Sequence, residues 1–419
     1  MGVDPQLVSL FPETTTVDQA GCLAIGGVRL SSLAHEFGTP VQVVDEYALR
    51  SRARSFADGL ARRRARSSVA FASKSFPCTA IYRVMAEERL HVDVAGAGEL
   101  VTALKAGVPA DRIVLHGNAK TDEEVHLAVA AKVGTVVVDN WDDIARLERT
   151  PGPRQSVLLR VIPGVDAPTM AAISTGHHGS KFGLSLSEAQ RAVTALRASP
   201  RFDLRGIHLH IGSQILTVDA FAEAVAAVAE LGRFDVYDVG GGLGVRYRRD
   251  EKAPTVDEYL DAITTAATRY LPDDAELWIE PGRSLVGQAG VTLYRVVTVK
   301  RGQPTFVAVD GGIADNLEAS TYVGTRHDAT LADRPGGSTL VELVGRQCES
   351  GDLFASDLPL DYPQVGDVVA MPVTGAYTYT LASNYNGALR APVVFVRDGA
   401  AHTVVRRETY DELTARDVL

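Results

Sequence analysis

Through the middle of this 419-residue chain, polar residues and glycines recur where short apolar runs end: Lys74, Asp93, His116, Arg160, His210, the run Gly240-Gly241-Gly242, and Glu280. Any one of them alone is most simply a satisfied structural polar group. As a set, in step with the apolar runs, they suit a particular chemistry. "DVGGGLG", 238–244, is a glycine-rich turn after a strand, where backbone N–H groups can approach a phosphate closely. Its spacing is not that of the dinucleotide fingerprint. "EPGR", 280–283, supplies a second turn after the next apolar run, with Gly282 allowing close backbone approach. A ligand with a phosphate, a partner for one lysine and a partner for one carboxylate suggests pyridoxal phosphate. Lys74 would form the imine. Glu280 would hold the pyridine nitrogen protonated and so make the ring an electron sink. His210, in "HLHIGSQ", could stack on the ring face. Lys74 ends the apolar run of "VAFASKSF", which argues against an ordinary surface lysine.

These residues need elements to hold them. Apolar runs predict strands over 68–72, 91–94, 113–116, 135–138, 157–161, 206–211, 234–239 and 276–280. Between them, Ala-rich stretches with helical spacing predict helices over 79–88, 98–106, 121–131, 141–150, 187–198, 219–231 and 256–270, preceded by one over 45–64. Alternating strands and helices imply a parallel sheet with right-handed crossovers. Such units over ~250 residues have the size of a closed (β/α)8 TIM barrel, whose chemistry collects at the C-terminal strand ends, with phosphate sites after strands seven and eight. Pattern alone leaves an open doubly wound sheet as the alternative. After about residue 290 the texture changes to strands at 291–300, 305–310, 339–344, 367–371 and 393–397, punctuated by Pro and Gly. The first ~40 residues also read as β, with "GCLAIGGVRL" as a hairpin around Gly26-Gly27. The expected division is 1–43, N-terminal strands packing with a C-terminal β domain; 44–290, the cofactor-binding barrel; and 291–419, that mostly-β domain.

Composition sets the outer bounds. The chain is 46% hydrophobic and 22% charged, with a formal net charge of −10, which argues against a general nucleic-acid surface. The cluster Arg62-Arg63-Arg64 with Arg66 reads as the wet face of a helix. Cys22, Cys78 and Cys348 are far apart and make no CxxC pair, which fits a reducing compartment. No run approaches the ~20 apolar residues of a membrane span. The start, "MGVDPQLVSLF", has no basic-then-apolar signal, and Gln6 breaks the myristoylation pattern. A cytoplasmic protein that binds neither membrane nor nucleic acid is expected, and no metal.

The ordered series "FASKSF", "HVDVAGAGEL", "HGNAKTDEE", "LLRVIPGVD", "STGHHGSKFG", "GIHLHIGSQI", "DVGGGLGVRY", "EPGRSLV", "VDGGIADN", "CESGDLF" and "GAYTYTLASNYNG" resembles the fold-type III, alanine-racemase-like pyridoxal-phosphate decarboxylases, and among them the diaminopimelate decarboxylases, over nearly the whole chain. The resemblance implies a homodimer whose active sites are shared between the barrel of one subunit and the β domain of the other. It implies Lys74 as Schiff-base lysine, His210 as stacking residue and Glu280 on the ring nitrogen, with Asp93, His116 and Arg160 also at the cofactor. It places Ser213, Gly241, Gly242 and the Gly282/Arg283 turn on the phosphate. Cys348 and Glu349 would come from the second subunit, with Cys348 a proton donor to the carbanion. Tyr377 would reach cofactor or substrate, and Arg283 and Tyr322 the substrate. The implied reaction is decarboxylation of meso-diaminopimelate to L-lysine, in lysine biosynthesis.

Departures bear on the substrate. After "DGG" the family usually carries an arginine followed by "PALY", which clamps the distal end of the substrate; here "ADNLEASTY" puts Glu318 in that place and reverses the local electrostatics. Arg326, and Arg346 where the family commonly has proline before "CESGD", are the arginines that could restore a clamp; a shifted surface pair is the bland alternative. "FASKSF" also replaces the usual "YAxKAN". The competing readings are therefore the same chemistry on another amino acid or specialised-pathway intermediate, an amino acid racemase, and a non-enzymatic cofactor carrier.

Overall fold

The computed structural model describes residues 3–165, 169, 175, 176, 179–320 and 326–418. Tyr322 and part of "STGHHGSKFG" lie outside the described residues. The chain forms two compact units: one of residues 52–245 and 253–284, the other of residues 1–51, 246–252 and 285–419.

The first unit is a closed parallel barrel, as the alternation of runs predicts. Its strands are β1 (Ser67–Ala72), β2 (His91–Val94), β3 (Ile113–Leu115), β4 (Thr135–Val138), β5 (Gln155–Arg160), β6 (Phe202–His208), β7 (Val236–Asp238) and β8 (Glu276–Ile279), in sequential order with β8 closing onto β1. β-branched and apolar side chains buried on both faces suit strands with helices outside and a filled interior within. The helices between them start where capping chemistry allows. Thr121 and Glu124 form a reciprocal capping box before Asp122–Ala131, and Thr255 and Glu258 another before Val256–Tyr270. The arginine cluster is only partly a wet face. Arg62 is exposed, but Arg63 pairs with Asp257 and Asp261, and Arg64 donates to the carbonyls of Pro272 and Ala275.

The second unit is mostly β and takes in the N-terminal segment. Val41–Asp45 lies between Gly290–Lys300, antiparallel, and Val393–Arg397, parallel. The sheet continues from Gly290–Lys300 through Phe306–Val309 and Thr339–Val344 to Leu353–Leu360. The glycine hairpin forms as expected: Gly26 and Gly27 have φ of +55° and +82°, joining Leu23–Ile25 to Val28–Arg29. Three elements differ from expectation. Leu30–Phe37 is a helix, not strand, burying Leu30, Leu33 and Ala34 at helical spacing directly after the hairpin. Leu353–Leu360 is a strand whose alternation is broken by register shifts in its pairing and by Asp357 at φ +52°. Ala400–Val405 is an exposed edge strand with no apolar face to signal it. No helix among the described residues is long and apolar enough to cross a membrane.

Candidate active site

The strand register assembles the polar ring. His208 at the end of β6 lies opposite Arg160 of β5 on one side and Asp238 of β7 on the other. Ala72 of β1 lies opposite Asp93 of β2. The barrel's closure joins its first and last strand ends: the Ala72 N–H donates to the Pro281 carbonyl at 3.2 Å, setting "SKS" beside "EPGR". Lys74 is exposed on the single 3-10 turn Ser73–Ser75. That turn is tied down by Glu99, whose Oε2 accepts from Ser73 Oγ at 2.8 Å and from the Ala95 N–H at 2.7 Å.

Glu280 is the hub, 5% exposed. Its Oε1 lies 2.8 Å from His116 Nε2 and its Oε2 3.1 Å from His208 Nε2. Burial by itself would push this carboxyl up, but the two imidazoles outweigh it and hold Glu280 well below the usual carboxylate range. The histidines differ. Burial works against a charged His116, yet Asp93, 3.8 Å away, and Glu280 raise it. Burial drives His208 down to about 3, so it is neutral. Burial lifts Asp93 to about 6, and burial with the charge of Glu280 lifts Asp238 well above the ordinary range. The site therefore holds one firmly anionic acid among neutral or part-neutral ones.

His210 stands two residues after the end of β6. Its Nδ1 accepts from the Gly241 N–H at 3.2 Å, and burial, with Lys74 nearby, keeps the ring neutral. Gly240 and Gly242 have φ of +67° and +118°, in the left-handed region that favours glycine. Arg283 Nε reaches Ser213 Oγ at 3.4 Å, linking "EPGR" to the loop after β6. Arg160 lies 3.8 Å from Asp139 and over the ring of Phe182 at 4.4 Å. The sequence-predicted barrel residues Lys74, Asp93, His116, Arg160, His210, Ser213, Gly241, Gly242, Glu280, Gly282 and Arg283 thus all fall at strand ends or on the turns that follow them.

In the β unit, Glu318 is buried on the turn Leu317–Ala319. Arg326 and Arg346 are exposed. Arg326 lines a cavity of about 270 Å³ with Arg248, Arg249, His327 and Asp328, and the Arg346 N–H donates to the Gly311 carbonyl at 2.9 Å. Cys348 and Glu349 are exposed; the Cys348 N–H donates to Asn386 Oδ1 at 2.9 Å, and Glu349 accepts from the Tyr385 hydroxyl at 2.6 Å. Tyr377 is half-buried with φ of +63°.

Sequence reasoning passed over His208, Asp238, Asp139, Glu99 and the pair Lys120–Asp143. His208 had a signal: it ends the apolar run Gly206–His208, in the strand-end place where the other polar residues also stand. Asp238 closes β7 and Asp139 directly follows β4, and both were readable from strand-end position. Glu99, Lys120 and Asp143 lie on helices and loops and had none.

The pyridoxal-dependent decarboxylase family, through its pyridoxal binding domain, matches residues 47–287. Over 423 residues the chain is 44% identical to the diaminopimelate decarboxylase of Actinosynnema pretiosum subsp. auranticum, covering 98% of this chain and 95% of that one. It is 41% identical to that of Bacillus subtilis strain 168, covering 97% of each. The crystal structure of diaminopimelate decarboxylase from M. jannaschii matches with a TM-score of 0.89 and 30% identity over 97% of this chain and 98% of that chain. The donor set fits pyridoxal phosphate: an amine for its aldehyde, a buried acid held anionic for its ring nitrogen, and a left-handed glycine turn with no side chains to bar a phosphate's approach. The chain belongs to the pyridoxal-dependent decarboxylases, enzymes that use pyridoxal phosphate to remove carbon dioxide from an amino acid.

Proposed function

We propose that this enzyme converts meso-diaminopimelate to L-lysine and CO2. The observation that carries the chemistry is Glu280, anionic between His116 and His208 in the ring of strand-end residues. The substrate reading is supported by relatives named diaminopimelate decarboxylase that match end to end. When bound, pyridoxal phosphate supplies an electron sink for the bond that breaks. Lys74 would hold the cofactor through its aldehyde. Glu280 would keep the proton on the ring nitrogen, with Asp93, His116 and Arg160 also at the cofactor. His210 would stack on the ring. Ser213, Gly241, Gly242, Gly282 and Arg283 would hold the phosphate.

Decarboxylation must beat loss of the α-proton, so the residues that orient the scissile carboxylate decide the reaction. Arg283 and Tyr322 would contact the substrate, and Tyr377 the cofactor or the substrate. The enzyme works as a cytoplasmic homodimer, in which Cys348 and Glu349 of one copy serve the barrel of the other. Their exposure in a single copy supports this. Cys348 returns a proton to Cα.

A second reading keeps the chemistry and changes the substrate. It is favoured by Glu318, a buried acid where the family carries a substrate-clamping arginine. A distal cation would then meet Glu318, or a carboxylate would be clamped by Arg326 or Arg346. CO2 release from meso-diaminopimelate, lysine, ornithine and arginine separates the two. Strong turnover of diaminopimelate alone supports the first; no turnover of it, with release from a basic amino acid, replaces it with the second.

A further inference from the structure

We infer that His116 and His208 are positioning residues for the reaction: a two-point clamp, one imidazole on each oxygen of Glu280, that fixes where and how this acid meets the ring nitrogen of pyridoxal phosphate. The inference rests on the reading of Glu280 given above and assigns parts to two other residues.

The geometry is specific. The nitrogens reach different oxygens, Nε2 of His116 to Oε1 at 2.8 Å and Nε2 of His208 to Oε2 at 3.1 Å. The two rings meet edge to face, with centroids 4.8 Å apart and planes at 71°. A carboxylate held at both oxygens cannot rotate about its terminal bond without breaking a contact. The two contacts differ in kind: His208 meets Glu280 in a hydrogen bond, while His116 Nε2 and Glu280 Oε1 meet as a close charge contact without hydrogen-bond alignment. A charged carboxylate only accepts, so the His208 nitrogen that faces it carries a proton. His208, being neutral, is thereby fixed as the Nε2–H tautomer.

The two histidines do different work. The layer also contains Asp93, Asp238, Arg160 and Lys74, which act on this cluster through space. His116, drawn up by Asp93 and Glu280 against its own burial, favours the ionised form of Glu280. His208 brings a neutral N–H, which orients the carboxylate without adding a second charge to compete with a pyridinium. Two charged histidines would satisfy Glu280 completely and weaken its pull on the ring proton. Two uncharged residues would leave it free to protonate in so buried a place. One of each leaves the acid anionic and still able to hold a further proton donor.

The test uses holoenzyme reconstituted with pyridoxal phosphate labelled with nitrogen-15 in the ring, whose chemical shift separates pyridinium from pyridine. His116→Leu and His208→Leu are expected to move that signal toward the unprotonated position. Each is expected to lower kcat about 10–100-fold, the usual size for losing the partner that orients a functional group, with KM changed far less. His208→Gln, which restores an N–H, should recover most of both. An unmoved ring-nitrogen signal in both leucine variants overturns the clamp. So does a glutamine variant as impaired as the leucine one.

If a leucine variant does not hold cofactor, His116→Gln decides, since it keeps a donor and loses the charge. A shifted signal with wild-type circular dichroism supports the clamp; an unshifted signal with wild-type kcat overturns it. Glu280→Gln separates the two levels of the argument. If it too leaves the ring protonated, the reading of Glu280 itself has failed. If only the histidine variants do, the clamp alone has failed.

Discussion

Lys120 and Asp143 form an ion pair of 2.7 Å with side chains 2% and 0% exposed, between the loop after β3 and the helix Trp141–Arg149. Lys120 Nζ also donates to the Gly117 carbonyl, and Asp143 Oδ2 also accepts from the Asp139 N–H. Removing Asp143 leaves the buried Lys120 charge with only the Gly117 carbonyl, whereas removing Lys120 leaves Asp143 with Arg146, whose Nη1 lies 3.6 Å from its Oδ1. Asp143→Leu should cost about 3–5 kcal/mol, Lys120→Met less, and the double variant much less than the sum. Urea unfolding of the three variants measures this; additive costs would show that the two charges do not depend on each other.

Lys74→Ala should leave gel-filtered protein without the visible absorbance of covalently held cofactor and without turnover. A variant that is still yellow and still active would remove Lys74 from its proposed role.

Glu280→Ala should still bind pyridoxal phosphate, since the phosphate turn is untouched, while kcat drops about 10²–10³-fold, the scale seen when one preorganised electrostatic partner is lost. Equilibrium dialysis alongside steady-state kinetics separates binding from turnover. Near-normal kcat would mean that the sink does not need this acid.

Asp315, in the β unit, has its carboxyl raised from 3.8 to about 7, chiefly by burial, despite accepting the Gly312 N–H at 3.0 Å. The folded state therefore holds this proton more tightly than the unfolded one. Stability should fall as pH rises from about 4 to about 7, by an amount on the order of a few kcal/mol from this group. Asp315→Asn cannot ionise, so it should flatten that slope and raise Tm at pH 8. Thermal melts across the range check it; a slope unchanged in the variant would assign the effect elsewhere.

Much of this was legible in the chain because each barrel strand buries an apolar run and stops at a polar residue. Glu280, His116 and Asp93 could be placed from that rhythm alone. His208 escaped because its neighbour His210 satisfied the same pattern, and only pairing register shows that it lies beside Asp238 and Arg160. Lys120 and Asp143 escaped for a deeper reason: a lysine in a loop and an aspartate in the first turn of a helix are ordinary surface residues until tertiary packing closes over them. The helix Leu30–Phe37 carried its apolar spacing openly, but the preceding hairpin drew the whole segment toward β. The strand Leu353–Leu360 had its two-residue period broken by bulges, which no local pattern announces.

Val43 sits between Val291 and Val394, with one neighbour antiparallel and the other parallel. On the ribosome, this strand emerges before either neighbour and must wait for both while every barrel strand is made. For that interval both its edges are bare, an invitation to another chain. A nascent polypeptide stalled before Val393 would thus carry a complete barrel together with a sticky, half-framed strand, which marks the span between those two moments of synthesis as the time when a chaperone matters most to this protein.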